Sequence, residues 1–189
     1  MLENINFIEK FITNYGYLAI LFFMTIESSF IPFPSEIVMI PAGYFASKGK
    51  LNLLLCVISG SLGSLIGAWI NYFLALKFGR KFVKKIMPKK YFLKSENLFS
   101  KYDILAIFIG RLLPGIRQYI SLPAGLFKMN FLSFSILTFL GAFLWNSSLV
   151  FFGYFFGINE NLFLKFKYTT IIITLLLFTF FIFFLKAKT

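Results

Sequence analysis

The sequence predicts an all-α polytopic membrane protein. Its plan is an inverted repeat, each copy a re-entrant helical hairpin followed by a transmembrane helix, with an extra transmembrane helix at the C-terminal end. Three observations carry this. Apolar residues make up 59% of the 189 positions and charged residues 14%, with a mean hydropathy of +0.82. A soluble domain carries about 25% charged residues, so this chain cannot cover its own surface. Second, the segments 51–76, 131–156 and 168–185 are apolar over the roughly 20 residues a spanning helix needs. Third, two further apolar stretches are interrupted by proline at mid-length, and each precedes one of the first two spans.

The elements follow in chain order. Residues 15–79 form repeat one. Its hairpin, 15–47, is apolar over 15–31, breaks at Pro32-Phe33-Pro34, and resumes over 37–47, which is too short to cross. Proline removes a helical hydrogen bond and clashes with the preceding turn. Broken backbone persists at membrane depth only when it is buried in protein or faces a watery cavity. The competing reading for 15–31 is a proline-kinked spanning helix. The span 51–76 completes the repeat. The loop 77–101 holds Lys77, Arg80, Lys81, Lys84, Lys85, Lys89, Lys90, Lys94 and Lys101 against Glu96 alone. A basic loop between spans marks the cytoplasmic side and can touch anionic headgroups; nucleic-acid binding is not expected from it. Repeat two, 102–157, has a hairpin at 104–127 broken at Pro114-Gly115, then the span 131–156.

Matching motifs recur in the same order. Tyr15, Ala19 and Ile20 align with Tyr102, Ala106 and Ile107. Pro41-Ala42-Gly43 aligns with Pro123-Ala124-Gly125, and Gly67-Ala68 with Gly79 aligns with Gly141-Ala142 and Gly153. A hairpin returns to its own side and the next helix crosses once, so the second copy is inverted, the plan many secondary transporters use around a central site. Placing 77–101 in the cytoplasm puts Lys128, Lys186 and Lys188 there too. Lys10, Lys48, Lys50, Lys165 and Lys167 fall outside, and the excess of positive charge inside supports that orientation.

The inventory of side chains narrows the chemistry. There is no histidine, and Cys56 is the sole cysteine. Internal disulfides, Cys/His zinc sites and Ser-His or Cys-His nucleophilic pairs are thereby excluded. No metal and no cofactor are expected. Residues 1–14 lack a basic n-region and a small-residue cleavage site, so no cleaved signal peptide is expected.

Four charges sit deep in apolar sequence. Glu27 and Glu36 flank the first break; Arg111 and Arg117 flank the second. Each charge at mid-membrane costs roughly 2.5–3.5 kcal/mol on insertion scales, so the acids of one repeat are expected to pair with the bases of the other where the hairpin tips meet. One reading is structural: Ser35 caps the half-helix after Pro34, Glu36 favours its positive end, and ion pairs hold the hairpins together. The other is functional. Two guanidinium forks, with amides after Pro114-Gly115, suit a phosphate, and a carboxylate in low dielectric has reason to take up a proton. Together they point to a proton-coupled carrier of a phosphate-bearing molecule. Small residues line the spans at helical spacing (Ser59, Gly63, Gly67, Asn71; Thr138, Ala142, Asn146), a pattern that serves close helix packing. Asn71 and Asn146 are also candidates for lining a polar path.

These residues resemble a known family. Glu27 followed by Pro32, Pro34 and Glu36, then Gly110-Arg111-Leu112-Leu113-Pro114-Gly115-Ile116-Arg117, then Pro-Ala-Gly before Met129, are similar to the bacterial DedA family. Its relatives include eukaryotic lipid scramblases with the VTT (SNARE-associated) domain. The resemblance spans about residues 15–157. It implies a lipid transporter of the bacterial inner membrane with two facing re-entrant hairpins. Undecaprenyl phosphate is the expected cargo, moved with the help of protons in support of the cell envelope. It further implies that Glu27 and Glu36 are the essential acids and Arg111 and Arg117 the essential arginines. A phosphatidylethanolamine or glycerophospholipid scramblase is the alternative in the same class, and a structural protein of membrane integrity an alternative outside it. A membrane lipid phosphatase is opposed by the absent histidine and the lack of a nucleophile beside a base.

Overall fold

A computed structural model describes residues 11–12, 14–29, 34–87, 89–113 and 116–158, and these are helical, with no strand among them. The helices are α1 (Tyr17–Glu27), α2 (Glu36–Ser47), α3 (Leu53–Ile86), α4 (Lys89–Tyr102), α5 (Ala106–Leu112), α6 (Ser121–Leu126) and α7 (Phe131–Ile158), with a 3-10 turn at Asp103–Leu105. Pro32, Pro114, Gly115 and the span expected at 168–185 lie outside the described residues.

Asparagines start both long helices. The Asn52 side chain accepts hydrogen bonds from the amides of Leu54 (3.0 Å) and Leu55 (3.2 Å), and Asn130 accepts from Ser133 (3.1 Å). Such caps are worth about 1 kcal/mol each. α3 and α7 are long and apolar enough to cross a membrane, as expected for 51–76 and 131–156. The 11 residues of α1 and 12 of α2 rise only about 17–18 Å at 1.5 Å per residue, well short of a hydrocarbon core of about 30 Å.

The segment expected as a basic loop at 77–101 is helical instead. α3 continues past 76 to Ile86, broken at Gly79 (φ 70°, ψ −163°), and α4 follows after Met87. The periodicity explains it. Val83, Met87 and Phe92 are buried together with Leu122 and Tyr119, while Lys81, Lys84, Lys85, Lys89, Lys90 and Lys94 face outward. Lysine is a good helix former, so a charge-rich stretch with an apolar stripe folds as an amphipathic helix.

Packing follows the small residues. α1 and α6 lie on α3, α2 and α5 lie on α7, and α3 crosses α7. A Cβ added at Gly63 or Gly67 would strike the Leu21 or Thr25 carbonyl of α1. One added at Gly43 would strike the Val150 carbonyl of α7, and at Gly125 the Tyr72 carbonyl of α3. The glycine of each Pro-Ala-Gly motif is therefore the point where its short helix touches the backbone of the other segment's long helix. Leu21 meets Gly63 and Thr25 meets Gly67, so α1 runs in the direction of α3. Ile40 meets Gly153 and Tyr44 meets Gly157, so α2 runs in the direction of α7. Trp69 with Ser135 and Asn146 with Ser61 show that α3 and α7 are antiparallel. α1 and α2 accordingly point in opposite directions.

Candidate functional site

Glu27 is the last residue of α1, and the chain turns at Ser28 and Ser29. Arg117 sits in the turns between α5 and α6, where the amides of Ile116 (3.2 Å) and Arg117 (3.1 Å) both donate to the Leu113 carbonyl. Arg111 closes α5, and a Cβ added at Gly141 would lie 2.8 Å from the Arg111 Cβ. Glycine at that point of α7 lets the arginine stem press in. Glu27, Arg111 and Arg117 are 2%, 5% and 9% exposed, which shields their interactions from water.

A connected network joins them. Arg117 Nη2 meets Glu27 Oε1 at 2.7 Å and donates to Ser35 Oγ at 2.8 Å. Ser28 Oγ donates to Glu27 Oε2 at 2.7 Å and accepts from Arg111 Nη1 at 3.3 Å. Arg111 Nη2 donates to the Ser64 carbonyl of α3 at 3.4 Å. The Arg117 guanidinium carbon lies 4.6 Å from the centre of the Trp145 ring of α7, and Trp145 Nε1 donates to Ser35 Oγ at 3.3 Å. A cation over an indole face is attracted by the ring quadrupole, more strongly when desolvated. Segments from both sides of the chain thus converge on one guanidinium.

The two arginines are held differently. Arg117 has short partners and a ring beneath it. Arg111 makes two long contacts with neutral groups, and its buried Nε has no hydrogen-bond partner among the described residues. Buried donors are normally satisfied, so Arg111 keeps spare capacity for an acceptor. Within the network two guanidiniums face one carboxylate, a balance that favours an incoming anion.

Three of the four expected charges come together, and the fourth does not. Glu36 is half-buried, and among the described residues its carboxylate has neither ion pair nor hydrogen bond. Successive helical residues point about 100° apart; with Ser35 turned to Arg117, its neighbour points elsewhere. The capping role expected of Ser35 is not found: it has helical dihedrals (φ −61°, ψ −26°) and makes no side-chain cap bond, its oxygen being taken by Arg117 and Trp145. Free amides were expected after Pro114-Gly115, yet those of Ile116 and Arg117 are committed to Leu113, and helix proper begins only at Ser121. The donors this site offers to an anion are therefore side chains. Asn71 is fully buried, donating to the carbonyls of Ser28 (3.1 Å) and Gln118 (3.4 Å), and its Oδ1 has no partner among the described residues. Asn146 is buried and donates to Ser61 Oγ at 3.5 Å. Sequence reasoning missed Ser28 and Trp145. Their only signals were adjacency, Ser28 to Glu27 and Trp145 to the inward-facing Asn146.

A family model described as the VTT domain matches residues 33–155. That range holds Ser35, Glu36, both arginines and Trp145, and begins after Glu27. Over 155 residues the chain is 32% identical to undecaprenyl phosphate transporter A of Staphylococcus aureus, covering 77% of this chain and 76% of that one. The protein of that name from Bacillus subtilis is 34% identical over 151 residues, 77% of this chain and 74% of its own. A Lactococcus lactis protein named alkaline phosphatase-like is 35% identical over 162 residues, 80% of this chain and 76% of its own. No solved structure matches the chain.

Proposed function

Because the chain belongs to the VTT-domain family, the DedA membrane proteins, we propose that it carries a phosphate-bearing lipid, undecaprenyl phosphate, across the bacterial inner membrane by a proton-coupled route. The observation that carries this is the buried Arg117–Glu27 contact at 2.7 Å, joined through Ser28 to a loosely held Arg111. The names of the Staphylococcus aureus and Bacillus subtilis relatives support the cargo.

In this reading α1 with α2, and α5 with α6, are re-entrant hairpins of an inverted repeat, and the network is where their tips meet. The opposed directions of α1 and α2 and the exchanged packing of the short helices on α3 and α7 support it. The basic face of α4 and the end of α3 lie in the cytoplasm. A phosphate is first met by Arg111, whose Nε is uncommitted. A proton taken by Glu27 removes its charge and its claim on Arg117, and the freed fork closes on a second phosphate oxygen. Loss of the proton returns Arg117 to Glu27 and weakens the hold on the cargo. Glu36, unpaired and one residue from Ser35, is the second group able to exchange a proton.

Reconstitution tests it. Proteoliposomes holding the purified protein are expected to move undecaprenyl phosphate between leaflets faster with an imposed pH gradient. Arg117→Ala is expected to insert and lose that movement; full transport by this variant removes the assigned role. A zwitterionic headgroup needs less cationic capture, so phosphatidylethanolamine moving faster in the same vesicles favours the scramblase alternative. The name of the Lactococcus lactis relative raises an enzyme. Against it, the chain has no histidine, and no cluster of metal-ligating side chains occurs among the described residues. Phosphate release from the lipid by the purified protein would instead establish hydrolysis.

A further inference from the structure

α4 presents two faces. Phe92 and Ser95 are buried, and Tyr91, Leu98 and Phe99 are half-buried against the second hairpin. Tyr91 stacks on Tyr119 with ring centroids 5.7 Å apart, and Phe99 meets Phe127 edge-on at 5.4 Å. The other face exposes Lys89, Lys90, Lys94 and Lys101, with Leu93 53% exposed among them. Lys84 and Lys85, from the segment beyond the Gly79 break, extend it. That segment is tied to α4 by the Arg80–Glu96 ion pair (2.7 Å) and by Arg80 and Lys84 over the Phe92 ring. Since Glu96 is spent on Arg80, none of these six lysines has an anionic partner among the described residues.

We propose that this face is a docking surface for anionic lipid, the headgroups of the leaflet in which α3 ends. The occupant is argued from charge and shape together. Lysines around an exposed leucine, on a helix of a membrane protein whose opposite face packs on Tyr119, Leu122 and Phe127, match an interface in which headgroups are negative and the layer beneath is apolar. An acidic protein would match the charge and leave Leu93 unexplained. Bending at Gly79, where no atom lies within 4 Å of an added Cβ, lets the lysine-bearing segment leave the axis of α3. Through Tyr91–Tyr119 the lipid-facing helix touches the turns that follow Arg117, so the charge of the leaflet bears on the hairpin that holds the site. This last step rests on the proposed function; the lipid contact does not.

The test reads lipid selectivity, not transport. Full-length protein is reconstituted in phosphatidylcholine with spin-labelled phosphatidylglycerol or spin-labelled phosphatidylcholine, and the fraction of each label immobilised by protein is measured. The wild type is expected to prefer phosphatidylglycerol, and to lose part of that preference in high salt, since exposed charges are screened within about 8–10 Å. Lys89→Gln, Lys90→Gln and Lys94→Gln together are expected to bring the preference close to that for phosphatidylcholine, and Arg at the three positions to keep it. Lys48→Gln with Lys50→Gln, at the far end of α2, is expected to leave it unchanged. Wild-type selectivity in the triple Gln variant, or none in the wild type, overturns the proposal; so does a triple variant altered only in capture of an acidic protein. Failure of undecaprenyl phosphate transport in neutral vesicles by the wild type strikes the proposed function and leaves the lipid selectivity standing.

Discussion

At the scale of the residue, the site turns on how one guanidinium is shared. Arg117 lies between Glu27, Ser35 and the Trp145 ring, so in the proposed cycle it keeps two partners when the carboxylate lets go. In that cycle Trp145 is a positioning residue: its ring holds the cation near its place. Trp145→Phe retains a ring face and loses the bond to Ser35; Trp145→Leu loses both. A cation–π contact is worth about 0.5–2 kcal/mol depending on desolvation, so lipid affinity is expected to fall in the order wild type, Phe, Leu, with loss of the ring face in Leu worth about two- to thirtyfold, since tenfold is 1.4 kcal/mol. Equal affinities in a binding titration would leave Trp145 as packing alone. Glu27→Gln imitates the protonated acid and is expected to bind lipid while losing the response of transport to a pH gradient. The charged residues were legible in the sequence because charge in apolar surroundings is costly and therefore conspicuous. Ser28 and Trp145 were not, and Ser35 was legible only as a cap, since a serine or tryptophan in a membrane segment is inexpensive and gains meaning only from what the fold sets beside it.

At the scale of the element, glycines set how closely the short helices approach the long ones. The Pro-Ala-Gly motifs were visible as a repeat, but the reason for them lies in contacts with Val150 and Tyr72, far away in sequence. Gly125→Leu would drive a side chain into the α3 backbone. Overpacking of this kind costs about 1–3 kcal/mol and would shift the turns that carry Arg117. Lowered thermal stability in detergent with loss of transport is the expected result, and an unchanged melting curve would argue against the close approach. Gly79 is a different case. Its φ of 70° and ψ of −163° fall in a region nearly reserved for glycine, where another residue costs about 1–3 kcal/mol, yet space around it is open. Gly79→Ala is expected to favour a straighter α3 and to reduce contact of α4 with α5, α6 and Tyr119, measurable as greater proteolytic cleavage near residues 87–89. The break was hidden in the sequence because Gly79 stands inside a charge-rich stretch read as a loop; periodicity over 83, 87 and 92 was the signal passed over.

At the scale of the whole molecule, the two halves exchange partners: each long helix receives one short helix from its own segment and one from the other. The opposed buried charges pointed to a junction between the two segments, because charge in a bilayer is tolerated best when it is paired, and Glu27, Arg111 and Arg117 do come together. What the order of motifs did not disclose was that one acid, Glu36, stays out of the hydrogen-bonded junction. This arrangement separates a carrier from a scaffold. Removing one member of a buried ion pair strands the other and costs about 3–5 kcal/mol, so Glu27→Arg and Arg117→Glu are each expected to lower folded yield. Their combination restores opposite charges at the same contact and is expected to recover much of that yield. It also moves the guanidinium onto α1, away from the turns that follow α5 and its Arg111, and sets a carboxylate where the proposed carrier takes its phosphate. Transport by the double variant is therefore expected to stay absent although the protein folds. A scaffold needs only the attraction and would regain its effect on membrane integrity with the fold, so recovery of both together in the double variant would overturn the carrier.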